Sequence, residues 1–164
     1  MDERRRTRFV LLATVAAVAA AGGAYAAVDT AAAPKAAVRA ALAAKDDPIG
    51  ARGRTLGLSR VTIPAGVRLA LHHHPGTQVA FIARGTLTYT VRAGQVSVMR
   101  GAADGHPKLV RRITAGHTGL IRAGEWLVEQ PMTIHRAANR TSKPVVVYLA
   151  TLFPIGSPPS VPAR

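Results

Sequence analysis

The hydrophobic rhythm of the chain changes twice along its length. Residues 9–28 carry no charged side chain, residues 29–50 mix alanine with isolated charges, and from about residue 54 short apolar runs alternate with polar positions. The last pattern has a period of two, as expected of half-buried strands. TLGLSRVTI, RLALHHH, QVAFIAR, TLTYTVR, QVSVMR, KLVRRIT, TGLIRA, EWLVEQ, TIHRAA and VVVYLATLF are the predicted strands. Pro64-Ala65-Gly66, Pro75-Gly76, Arg84-Gly85, Ala93-Gly94 and Ala123-Gly124 punctuate them, and GAADGHP forms a longer loop. No helix-period segment interrupts the series, so the expected class is all-β. A chain with so many short strands removes its edges by closing the sheet into a double-stranded roll or small barrel.

The first two patterns set the domain organisation. Arg4, Arg5, Arg6 and Arg8 precede the uncharged run, and Ala24-Tyr25-Ala26 closes it, which are the parts of a secretory signal peptide over residues 1–26. The alternative is an N-terminal membrane anchor, because 20 uncharged residues just span a bilayer of about 30 Å. Either way the body of the protein is expected outside the cytoplasm. Residues 27–50 read as an Ala-rich linker, with a short helix beginning at Pro34 and stopping before Pro48. Its apolar face is mostly methyl groups, so it buries little. Residues 51–155 are the expected barrel, and residues 156–164 a disordered Pro-rich tail.

Composition narrows the chemistry further. A length of 164 residues allows one ordinary domain, and the net charge of +14 favours anionic partners. The arginines are dispersed and do not alternate with aromatics, which argues against nucleic acid. Membrane association is expected only through the N-terminal segment. Nothing in the composition excludes a homodimer. With no cysteine, disulfides, thiolate metal sites and cysteine nucleophiles are all excluded.

The histidines carry the most specific signal. In GVRLALHHHPGTQVAFIARG, side chains two apart share one face of a strand, so His72 and His74 point the same way. Arg68 and Ala70 are expected on the same wall, and Leu69, Leu71 and His73 on the opposite one. After the turn at Pro75-Gly76-Thr77, Gln78 starts the next strand near the pair. His106 and His117 fall outside this pattern and read as exposed residues. Trp126 and Tyr89 read as core aromatics, and Asn139 as a turn former.

Gly66, His72, His74, Gln78 and Gly85, at these spacings, resemble the first motif of the cupin superfamily, with glutamine in place of its glutamate. Residues 119–139, with Ala123-Gly124-Glu125, Pro131, His135 and Asn139, are similar to the second motif, although Gly124 and His135 stand farther apart than usual. The resemblance implies a β-barrel holding one divalent transition metal (Fe, Mn, Ni, Cu or Zn) on His72, His74 and His135. Gln78 is then a weak fourth ligand or a hydrogen-bond donor beside the metal. Without the glutamate the site would carry +2 instead of +1, and with Arg68, Arg84 or Arg136 nearby it would favour an anionic or oxygen-rich small molecule. Glu129 is a further candidate to replace the missing acid, and Arg68 and Tyr89 are candidate pocket residues. The resemblance implies a dioxygenase or isomerase; the alternative is a non-catalytic binding or sensing module.

Overall fold

The structure, a computed structural model, describes residues 36–164 apart from residue 103. The signal or anchor of residues 1–26 therefore lies outside the described residues. Among the described residues there is no helix, and hence none long and apolar enough to cross a membrane.

Twelve strands follow one another: β1 (Val38–Asp46), β2 (Arg54–Ile63), β3 (His72–His73), β4 (Thr77–Arg84), β5 (Thr86–Ala93), β6 (Gln95–Arg100), β7 (Lys108–Thr114), β8 (Thr118–Arg122), β9 (Glu125–Glu129), β10 (Ile134–Ala138), β11 (Val145–Pro154) and β12 (Val161–Pro162). They form a seven-stranded sheet in the order β1-β2-β11-β4-β9-β6-β7 and a five-stranded sheet in the order β12-β3-β10-β5-β8. The paired neighbours are antiparallel.

The period-two pattern is what closes the two sheets on one core. In β11 the buried positions Val145, Val147, Leu149, Thr151 and Phe153 alternate with more exposed ones. Ile63, Ile82, Leu87, Tyr89, Val91, Val98, Ile121 and Leu127 complete the interior from the other strands. Truncating one such large side chain to alanine costs about 2–5 kcal/mol. Trp126 departs from the expectation of a core aromatic. It is half-buried in β9 between the inward-facing Glu125 and Leu127, and its indole N–H donates to the Gly101 carbonyl at 2.9 Å.

Both ends of the barrel extend beyond the predicted limits. Residues 38–46 are a strand and not a linker helix, paired with β2 from Val38↔Thr62 to Asp46↔Thr55 with one bulge. An isolated alanine helix of this length is marginal in water. As a strand the same residues cover the exposed edge of β2 and satisfy its backbone groups. Asp47, with a φ of 49°, accepts the Gly53 amide at 2.7 Å and shapes the connecting loop. The C-terminal residues are likewise ordered. Val161 and Pro162 pair with His73 and His72, and the Ala163 amide donates to the Leu71 carbonyl at 3.0 Å.

Candidate metal centre

The three motif histidines converge from two strands and a turn of the smaller sheet's end of the barrel. His135 lies opposite His72 in the β10–β3 pairing, and His74 follows β3 directly. Gly76 makes the turn toward β4 this tight. A Cβ there would overlap the Leu152 carbonyl and come within 2.8 Å of the Phe153 ring, so a side chain would push the turn off β11. Ring centroids are 4.4 Å apart for His72 and His135, 5.0 Å for His72 and His74, and 5.2 Å for His74 and His135. One nitrogen of each ring lies within 4.8 Å of the other two.

Each ring is oriented by a backbone carbonyl. Nδ1 of His72 donates to Ala70 at 2.7 Å, that of His74 to Pro159 at 2.9 Å, and that of His135 to Thr133 at 3.1 Å. With the proton held on Nδ1, each Nε2 keeps its lone pair for the centre. Burial pushes the His72 and His135 imidazoles below the ordinary histidine range, which keeps both neutral at pH 7. Tyr89 stacks on His135 at 4.8 Å and Phe153 on His74 at 5.9 Å, which fixes the ring planes.

The acid missing from position 78 stands directly across the strand pair. Gln78 and Glu129 are register partners in β4 and β9, both inward-facing and almost fully buried. Glu129 places Oε1 at 3.1 Å from Nε2 of His135 and Oε2 at 3.3 Å from Nε2 of His74. The Tyr89 hydroxyl donates to Oε1 at 2.6 Å, and the Gln78 amide donates to Oε2 and approaches Nε2 of His74 at 2.8 Å. Burial by itself raises the Glu129 carboxyl, but His135, His74 and the Tyr89 hydroxyl outweigh it and hold the group well below the ordinary carboxylate range. Burial, and then Glu129 itself, push the Tyr89 phenol up, so it remains a donor.

This carboxylate changes the charge expected from the sequence. A divalent metal held by the three imidazoles would have the Glu129 carboxylate beside it, for a net +1, the value a glutamate at position 78 would have produced, so the argument for a +2 centre does not hold. The residues present fit a metal by the chemistry of their donor set. Gln78 Oε1 is buried without a hydrogen-bond partner, and three imidazole lone pairs and a carboxylate face the same small space. Nitrogen donors with one hard oxygen suit first-row divalent transition metals.

The centre forms one end of a cavity of about 320 Å³ whose remaining walls are mainly aliphatic, among them Ile63, Ile82, Leu87, Ile121 and Val147. Tyr89 lines it as expected. Arg68 does not. It is exposed and lines a separate small pocket with Arg136 and Arg140, whereas Leu69 lines both that pocket and the main cavity. The reason is local: only His72 and His73 of the RLALHHH run are in a strand, and the chain bends at Leu71, so strict alternation does not reach Arg68. Arg84 is also exposed, as are His106 and His117, and His73 lies outside the histidine cluster. Asn139 is fully buried and knits its turn, donating to the carbonyls of Ile63 and Lys143 and accepting from the Thr141 amide. Nothing in the sequence signals that two segments line the cavity: the alanine-rich one that reads as helix, which supplies Ala37 and Arg39, and the tail that reads as disordered, which supplies Pro159, Ser160 and Pro162.

This arrangement of two antiparallel sheets, with histidines at one end of the barrel, overlaps a cupin 2 domain-containing protein from Halorhodospira halophila with a TM-score of 0.50, over 79% of this chain and 72% of that one, at 12% identity. The fold is that of the cupins. A cupin-like protein from Thermotoga maritima is similar over 77% of this chain and 75% of its own, with a TM-score of 0.48 and 16% identity. A double-stranded β-helix protein from Klebsiella pneumoniae is similar over 78% and 84%, with a TM-score of 0.44 and 18% identity. No protein-family model matches the sequence, and no curated protein does.

Proposed function

We propose that this chain is an exported cupin that holds one divalent transition metal on His72, His74 and His135 and receives a small organic ligand in the barrel cavity. The observation that carries the reading is the shared orientation of the rings: all three give Nδ1–H to a backbone carbonyl, which directs three neutral nitrogens at one point. Glu129 would supply the anionic oxygen, with Gln78 beside it. When bound, such a metal supplies Lewis-acid binding of an oxygen donor at its open positions. The chain's own residues shape the rest. Aliphatic side chains exclude water, Tyr89 positions Glu129, and Gln78 holds an amide against the same carboxylate.

Among enzymatic forms of this reading, the dioxygenase-like one is better supported than an isomerase. Isomerisation requires a free proton-transfer group in the cavity, whereas the Tyr89 hydroxyl is committed to Glu129, and Glu129 accepts from both Tyr89 and the Gln78 amide. A non-catalytic ligand-binding role makes no demand beyond the cavity. The test is elemental analysis of protein purified from its native compartment, with N-terminal sequencing of the same sample. About one divalent metal per chain and a start at or near Ala27 are expected. A protein that neither carries nor takes up metal would overturn the metal reading, and a full-length cytoplasmic product the export.

A further inference from the structure

One charged residue that lines the cavity has no role in the histidine cluster. Arg39, on β1, is the only lysine or arginine among the cavity-lining residues. It heads the row Arg39, Val61, Val147, Ile82, which lies four residues along β4 from Gln78. Its side chain leans back toward the centre, where Nε donates to the Ser59 hydroxyl at 3.2 Å. Ser59 is itself buried, in the row of Leu149 and Ala80, two residues from the row of Gln78, or about 7 Å along the strands.

The guanidinium is half used. Ser59 takes Nε, while among the described residues neither terminal nitrogen has a side-chain partner and no carboxylate pairs with Arg39. Arg39 is exposed overall, so its charge stays hydrated at the rim while the side chain also lines the aliphatic cavity. Its planar fork of donors matches a carboxylate in two-point geometry.

We propose that Arg39 is the anion-recognising residue of the cavity, and that the ligand is a small organic acid whose carboxylate meets Arg39 while its apolar body runs along the aliphatic wall toward the histidines. This rests on the reading of the cavity as a ligand site, and it returns the anion preference to a residue other than the metal. At about 30 Å³ for a water-sized group, a cavity of about 320 Å³ holds a ligand of roughly ten non-hydrogen atoms.

The probes are octanoate and its uncharged counterpart 1-octanol, titrated calorimetrically into full-length protein, metal-loaded and metal-free. Wild type is expected to prefer octanoate to octanol by tenfold or more in the metal-free form, where no metal can bind the carboxylate. Arg39→Met should remove that preference with octanol affinity unchanged, and Arg39→Lys should keep part of it. Octanol binding by Arg39→Met also reports an intact cavity. If Arg39→Met weakens both probes equally, or leaves octanoate within twofold of wild type, or if wild type binds neither probe, the proposal is overturned. Metal content, measured separately, reports on the histidine centre whatever the outcome.

Discussion

The Pro159 carbonyl accepts the Nδ1–H of His74 at 2.9 Å, across 85 residues of sequence. The C-terminal strap that supplies it is held by β12 on β3, beside His72 and His73. A residue far from the motif thus fixes the tautomer and plane of one of its histidines, and removing such a partner typically costs 10- to 100-fold in metal affinity.

Terminating the chain after Gly156 should therefore lower metal affinity by about that factor while leaving the barrel folded, because the core cluster contains no residue beyond it. Chelator competition on the truncated and full-length proteins, with circular dichroism as the control for fold, measures this. Unchanged affinity would show that the strap has no part in setting His74.

Glu129 and Gln78 face one another across β4 and β9, so the carboxylate and the amide can be exchanged. Glu129→Gln should weaken metal binding tenfold or more. Adding Gln78→Glu to it should restore most of the loss, since the anionic oxygen returns on the partner strand. Gln78→Glu alone places two buried carboxylates side by side, and should lower the Tm of the metal-free protein and make it depend on added metal. If the double variant binds no better than Glu129→Gln, the two positions are not equivalent donors.

The two faces of β3 separate His72 from His73. His72→Ala should remove most bound metal. His73→Ala should not, because its ring contacts the His74 carbonyl and lies outside the cluster. Equal losses in elemental analysis of the two variants would place the register one residue away.

Acid stability should depend on Glu125. This buried carboxylate meets Arg100 at 2.8 Å, Arg111 at 3.1 Å and the Arg122 amide at 2.8 Å. Burial raises its carboxyl, but these partners together bring it below the ordinary value of 4.5. A lowered folded-state pKa adds stability that is complete above the unfolded value and is lost as pH falls through the folded one. Denaturant titrations should show stability falling below about pH 4.5, and Glu125→Gln should lose that part of the pH dependence and about 2 kcal/mol at pH 7. Identical pH profiles for the two proteins would remove Glu125 as the cause.

The sequence by itself determined the all-β class and most strand positions, because period-two burial is a local property that closing the sheets only exploits. It also determined that His72 and His74 share a side near Gln78, which follows from strand alternation and a short turn, whereas His135 was placed with them only by the resemblance of residues 119–139 to a second cupin motif. What it left to the tertiary structure were residues whose state depends on a distant partner. Residues 38–46 have the composition of a helix, and β2 made them a strand by offering an edge; Arg39 entered the cavity as a result. The tail became ordered because β3 offered another edge, which brought Pro159 to His74. Glu129 reached the histidines because β9 pairs with β4 in the one register that sets it opposite Gln78. Edge pairing and register are energies between segments far apart in the chain, and no local pattern of hydrophobic and polar residues contains them.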